Sequence, residues 1–97
     1  MLKVLIADDE LSIREGLKCV IDWENCGFRI CGEATNGIEA LNKINELQPD
    51  LVLLDIMLPR LDGWQVCREI RKFSEMPIIM ITAKGEVFDK ILGLELG

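Results

Sequence analysis

The sequence contains no histidine among its 97 residues. This absence excludes catalytic triads built on imidazole and metal sites that need imidazole ligands. No two cysteines have the CxxC spacing of a zinc or redox motif, although the chain has four of them, at Cys19, Cys26, Cys31 and Cys67. We therefore expect neither a zinc site nor structural disulfides.

Positive charge is scarce: 11 lysines and arginines stand against 17 aspartates and glutamates, for a net charge of −6. We do not expect this segment to bind nucleic acid, because that requires a basic surface. Long apolar runs are also missing, since the longest has four residues, far fewer than a membrane span needs. The first run is followed by "DDE" within ten residues, which argues against a signal peptide and predicts a cytoplasmic location.

The overall composition, with 49% hydrophobic and 29% charged residues, is typical of a globular protein, and the length predicts one domain over residues 1–97. Short apolar runs predict strands at residues 3–7, 28–34, 50–55 and 77–82. Apolar residues at helical spacing predict a helix after each strand, at residues 8–21, 38–47, 64–73 and 86–96. This alternation predicts an α/β fold with a parallel sheet and helices on both of its faces.

Helical spacing also predicts which side chains face the core. In the first helix we expect Val20 on the buried face and Arg14 on the opposite face, and in the third helix we expect Phe73 to point inward. Asn36 and Asp62 precede the second and third helices, and both residue types are favoured as N-caps.

Three carboxylates follow two of the predicted strands. Asp8 and Asp9 come directly after the first strand, and Asp55 ends the third. If these strands are neighbours, as in a flavodoxin-like sheet, the carboxylates meet at the carboxyl edge, where such sheets bind ligands. Carboxylates held so close repel one another unless a cation or large pKa shifts intervene. An all-oxygen site of this kind suits Mg²⁺, and Asp55 could then act as a nucleophile that forms an aspartyl phosphate.

Three further residues belong to the same predicted edge. Thr82 ends the fourth strand, where its hydroxyl could bond a phosphoryl oxygen, and the small Ala83 beside it would leave access. Met57 could contribute only its backbone carbonyl to a metal. Several residues of this edge have ordinary alternatives: Thr82 as a strand or cap residue, Met57 as a loop residue, and Asp8 or Asp9 as the cap of the first helix.

Three segments, "VLIADDE", "DLVLLDIMLPRLDGW" and "PIIMITA", resemble the signature segments of the receiver domain of two-component response regulators. The resemblance implies a flavodoxin-like doubly wound sheet, with the order 2-1-3-4 for these strands. It implies that Asp55 is the phosphoacceptor and that Asp8, Asp9, Asp55 and the Met57 carbonyl hold Mg²⁺. It also implies that Thr82 is a switch hydroxyl.

The same resemblance implies the partners. The phosphoryl donor would be a phosphohistidine on a sensor histidine kinase, and phosphorylation would switch an output such as transcription. The domain would catalyse only its own phosphorylation and autodephosphorylation, so we do not expect an enzyme with a separate substrate.

The sequence departs from the family pattern at its end. Receiver domains have a fifth strand and helix, with a lysine after that strand that pairs with the phosphoryl group. Here "LGLELG" resembles the end of the fourth helix, and Lys84 comes too early to be that lysine. We therefore expect a (βα)4 part of a (βα)5 fold. The strand at 77–82 would then be an exposed apolar edge, through which the chain self-associates unless it folds poorly.

Other interpretations stay open. The chain could be a truncated or engineered interaction fragment without phosphotransfer. It could also be a phosphohydrolase with Asp55 as nucleophile, although such sites commonly add a carboxylate two residues later, where this chain has Met57. Residues 21–37 resemble regulators with an AraC-type output and residues 57–97 those with a winged-helix output, so the chain could be a mosaic or engineered.

Overall fold

Four strands alternate with three helices along residues 1–81, the part of the chain that the computed structural model describes. The elements are β1 (Leu2–Ala7), α1 (Leu11–Val20), β2 (Phe28–Ala34), α2 (Gly37–Leu47), β3 (Leu51–Asp55), α3 (Gly63–Arg71) and β4 (Ile78–Ile81). The predicted fourth helix, with Thr82 and Ala83, lies outside the described residues. Within residues 1–81, no helix has both the length and the apolar character required to cross a membrane.

The four strands form one parallel sheet in the order β2-β1-β3-β4. This confirms the predicted flavodoxin-like arrangement. β1 lies beside β3 with Ala7 opposite Leu54, so the residues that follow Ala7 emerge next to Asp55. The neighbouring register, which pairs Asp55 with Ile81, brings the end of β4 to the same edge.

The core has two parts because alternate residues of a strand point to opposite faces of the sheet. On one face, Leu5 and Leu54 join the larger cluster, which includes residues of α2 and α3. On the other face, Val4, Ile6 and Leu53 form a smaller cluster, against which Leu17 of α1 packs. The carboxyl edge of the sheet is therefore held between helices on both sides.

The capping predictions for α2 and α3 are confirmed. The Asn36 side chain accepts a hydrogen bond from the Glu39 amide at 2.8 Å. Asp62 and Gln65 form a capping box, in which each side chain accepts from the other residue's amide, at 2.9 and 3.0 Å. These caps fix where the two helices begin.

The predicted orientation of three side chains is wrong. Val20 is 82% exposed and Phe73 is 55% exposed. Val20 is the last residue of α1, and Phe73 lies beyond the end of α3 at Arg71, so neither is held over the sheet as a continued helical pattern requires. Arg14, expected to face solvent, has a side chain only 12% exposed.

Candidate functional site

The three carboxylates that follow β1 and end β3 lie together at the carboxyl edge of the sheet. One carboxylate oxygen from each of Asp8, Asp9 and Asp55 lies within 4.8 Å of the other two. The parallel pairing of β1 with β3 causes this, because it places the ends of both strands side by side. Asp8 and Asp55 are buried, while Asp9 is exposed, so the cluster opens to solvent on one side.

Asp8 is held by its backbone and by one of its two carboxylate oxygens. Its amide donates to the Ala34 carbonyl at 2.9 Å, and its Oδ1 accepts from the Glu10 amide at 2.9 Å. Its Oδ2 is buried and has no hydrogen-bond partner among the described residues. Glu10 occupies the N-cap position of α1, so the alternative that Asp8 or Asp9 caps this helix is wrong.

The charge state of Asp8 reflects this environment. Burial raises the pKa of its carboxyl from 3.8 to about 6; the Glu10 amide opposes the shift, and the nearby carboxylates of Asp55 and Asp9 add to it. A cation at this position would remove the repulsion and bind the unpartnered oxygen. Oxygen ligands from a few carboxylates are what Mg²⁺ uses in proteins, so the residues present fit this ion.

Asp55 is the last residue of β3, and it is only 5% exposed. Its Oδ1 accepts a hydrogen bond from the Met57 amide at 3.0 Å. The Ile56 amide donates to the Ile81 carbonyl at 2.9 Å, which fixes the backbone just after Asp55 against β4. The Met57 side chain is exposed, and the role of its carbonyl stays a prediction.

The loop between β3 and α3 packs against the start of α2. The Gly37 amide donates to the Pro59 carbonyl at 3.2 Å, and a Cβ atom on Gly37 would lie 1.8 Å from the Leu61 carbonyl oxygen. At the other end of the loop, a Cβ on Gly63 would lie 2.5 Å from the Asp55 carbonyl oxygen. These two close approaches fix the segment that carries Asp55 and Met57.

Sequence reasoning missed Arg14. Its Nη1 donates to the Asp8 carbonyl at 2.7 Å, and its Nε donates to Glu33 Oε1 at 2.8 Å. Lys18 Nζ binds the other oxygen of Glu33 at 2.8 Å, and these two cations, Lys18 first, hold the pKa of Glu33 below its usual value. The available signal was its position one turn into α1, because helical side chains point back toward the N-terminus, here toward residues 8–10.

Comparison with known proteins identifies relatives along nearly the whole chain. The family model described as "Response regulator receiver domain" matches residues 4–97. The "Probable transcriptional regulator ycf27" of Guillardia theta is 54% identical over 95 residues, which cover 98% of this chain and 36% of that protein. The chain spans 36–41% of the length of the first curated relatives it matches.

Solved structures that include response regulator domains have a fold similar to that of this chain. The REC domain of AraT, a response regulator from Geobacillus stearothermophilus, matches with a TM-score of 0.80 and 36% identity, covering 84% of this chain and 64% of that one. A chain in the CheX-CheY-BeF3-Mg²⁺ complex from Borrelia burgdorferi matches with a TM-score of 0.76 and 32% identity, covering 89% and 65%.

Proposed function

Since the chain belongs to the response regulator receiver domain family, we propose that it accepts a phosphoryl group on Asp55 in a reaction that requires Mg²⁺. The observation that carries this proposal is the cluster of Asp8, Asp9 and Asp55, whose ligand atoms lie within 4.8 Å of one another. The buried and unpartnered Oδ2 of Asp8, considered within residues 1–81, supports a cation at this edge.

Asp8, Asp9 and Asp55 would hold the ion, together with the Met57 carbonyl. Bound Mg²⁺ would supply positive charge that offsets the charge of the phosphoryl oxygens. The protein's own contribution is position: Asp8 is fixed by Ala34 and Glu10, and Asp55 by the Met57 amide. Preorganised groups of this kind need no rearrangement when the donor arrives.

The transfer itself uses a carboxylate oxygen of Asp55. That oxygen forms a bond to phosphorus while the bond between phosphorus and the donor's imidazole nitrogen breaks, and the electron pair leaves with the nitrogen. The donor in this proposal is a phosphohistidine on a sensor histidine kinase. Thr82 and Ala83 keep the roles that the family resemblance implies, as the switch hydroxyl and as a small neighbour that leaves access.

The added charge would act as a switch for an output. A phosphoryl group brings roughly −1.5 to −2 charge to the carboxyl edge, which biases a two-state surface. The name of the Guillardia relative supports transcription as the output, and the Mg²⁺ in the Borrelia complex supports the metal.

We propose a cytoplasmic regulator whose present segment does not itself bind nucleic acid. That the segment is a truncated or mosaic receiver stays a prediction.

Intact mass spectrometry tests the proposal. The chain is incubated with Mg²⁺ and a small acyl phosphate, with Asp55→Asn as the matched variant of nearly identical shape. We expect the mass of one phosphoryl group on the wild type, and none on the variant or with EDTA. A folded wild-type sample that gains no mass would contradict the proposal and favour an interaction fragment without phosphotransfer.

The same samples separate a receiver from a phosphohydrolase. We propose that the chain is not an enzyme acting on a separate substrate, since position 57 carries Met rather than a second carboxylate. Incubation with a stable phosphate monoester should release no more phosphate than the Asp55→Asn control. Sustained release that requires Asp55 and Mg²⁺ would instead assign a hydrolase.

A further inference from the structure

We propose that Arg14 is a positioning residue of the metal site: by binding the Asp8 carbonyl, it holds the loop of residues 8–10 in the conformation that brings Asp8 and Asp9 to the cation. This inference rests on the proposed function, because the conformation of the loop matters to chemistry only if these carboxylates bind Mg²⁺.

The contacts of Arg14 bridge three elements. The residue lies on α1, its Nη1 donates to the Asp8 carbonyl at 2.7 Å, and its Nε donates to Glu33 Oε1 at 2.8 Å. Glu33 lies on β2 opposite Ile6, two residues before Asp8 along β1. The guanidinium therefore ties the loop after β1 to the strand beside it. Its side chain is only 12% exposed, so solvent competes little for these bonds.

Besides Arg14, the loop is held by the hydrogen bond from the Glu10 amide to Asp8 Oδ1 at 2.9 Å. Glu10, the N-cap residue of α1, makes no side-chain capping bond, whereas Asn36 and Asp62 cap α2 and α3 and fix the chain before each helix. Arg14 instead fixes the chain before α1, by its hydrogen bond to the Asp8 carbonyl. This bond to the carbonyl leaves the Oδ2 atom of the Asp8 carboxylate for a ligand.

Lysine could not make the same pair of contacts. Arginine presents Nε and Nη donors in one rigid plane, whereas lysine offers a single ammonium group on a flexible chain. Arg14→Lys therefore keeps the positive charge but loses the fixed bridge between Asp8 and Glu33. Arg14→Met removes both the charge and the bridge.

Charge alone predicts the opposite effect on metal binding. Arg14 is a cation close to the Asp8 carbonyl, so it repels Mg²⁺, and its removal should tighten binding if it acts only through charge. If it positions the loop, its removal weakens binding. Lys18 is the matched control, because it pairs with the same Glu33 and carries the same charge but has no hydrogen bond to Asp8 among those found in residues 1–81.

Titration calorimetry with Mg²⁺ alone, on unphosphorylated wild type, Arg14→Met, Arg14→Lys and Lys18→Met, tests the inference. We expect both Arg14 variants to raise the Kd for Mg²⁺ about 10-fold or more, as is usual for residues that orient ligands. We expect Lys18→Met to leave the Kd unchanged or slightly lower. Thermal unfolding in EDTA identifies the variants that are folded, and Arg14→Lys, which keeps the charge and most of the side chain, is the one to rely on if Arg14→Met unfolds.

Hydrogen exchange in EDTA gives a second measurement that needs no metal. The Glu10 amide, bonded to Asp8 Oδ1, should exchange about 10-fold faster in Arg14→Lys and at the wild-type rate in Lys18→Met. An unchanged Kd in folded Arg14→Lys, or an equal loss of affinity in Lys18→Met, would overturn the inference while leaving the metal site intact. A wild type that binds no Mg²⁺ would overturn the proposed function itself.

Discussion

Asp8 is a buried carboxylate whose ionised form destabilises the metal-free fold. Because burial raises its pKa from 3.8 to about 6, the folded protein binds this proton more tightly than the unfolded chain does. The destabilisation is therefore complete above pH 6 and declines as the pH falls from about 6 toward 3.8. A pKa difference of that size corresponds to roughly 3 kcal/mol in the free energy of unfolding.

Asp8→Asn should accordingly stabilise the metal-free protein. The amide keeps an oxygen for the Glu10 amide but carries no charge, so we expect the free energy of unfolding in EDTA to rise by about 2 kcal/mol at pH 7.5. The gain should fall to about a third of that value at pH 4.5 and approach zero below pH 3.8. Urea unfolding at both pH values measures it, with Glu69→Gln, an exposed carboxylate paired with Lys72, as a control expected to change little.

We expect Mg²⁺ to reverse the order of stability of the wild type and Asp8→Asn. The ion should stabilise the wild type by mass action and have little effect on Asp8→Asn, which has lost a ligand charge. A stability gain that is the same at pH 7.5 and pH 4.5 would show that the effect does not come from ionisation of Asp8.

Among the elements, the loop from β3 to α3 depends on the start of α2 for its position. Gly37 has no room for a side chain, because a Cβ would meet the Leu61 carbonyl oxygen at 1.8 Å. The backbone there can shift only if the loop of residues 56–62 moves with it, and that loop begins directly after Asp55. Space rather than backbone conformation makes glycine necessary at this position.

Gly37→Ala should therefore destabilise the protein, by about 1–3 kcal/mol for an overpacked contact. Gly16→Ala is the matched control, since its Cβ would meet nothing within 4 Å and alanine favours the helix interior, which predicts a gain of roughly 0.5–1 kcal/mol. Urea unfolding of both variants measures the difference. Equal stability of the two would contradict the close packing of this loop.

For the molecule as a whole, the two outer strands of the described sheet, β2 and β4, differ in how readily their edges could pair with a second copy of the chain. β2 carries Arg29 and Glu33 and an extra residue, Cys31, where its register with β1 shifts, and charges and bulges discourage pairing at an edge. β4 has the uncharged sequence IIMI and, within residues 1–81, pairs with β3 alone. Self-association, if it occurs through an edge, therefore favours β4.

We expect concentration-dependent association in sedimentation velocity runs. Hydrogen exchange should then show protection of residues 78–81 that grows with protein concentration, while residues 28–34 serve as the internal control and stay unchanged. A single monomeric species at every concentration would contradict this prediction, and protection confined to residues 28–34 would assign the other edge.

The sequence by itself determined the order of elements, the parallel sheet, the caps at Asn36 and Asp62 and the edge at which the carboxylates lie. These depend on local patterns: apolar runs, helical spacing, and the rule that parallel strands end at one edge of the sheet. Helical spacing gave the wrong orientation for Val20 and Phe73, because α1 ends at Val20 and α3 ends at Arg71 while the apolar spacing continues.

Only the tertiary structure decided the contacts between segments far apart in the chain. The approach of Gly37 to Leu61 and the bond from Arg14 to Glu33 depend on the distances between packed elements. A one-dimensional pattern contains no such distances, and the position of Arg14 one turn into α1 indicates only the direction of its side chain. The fold turns it toward Asp8 because α1 begins directly after the loop that carries that carboxylate.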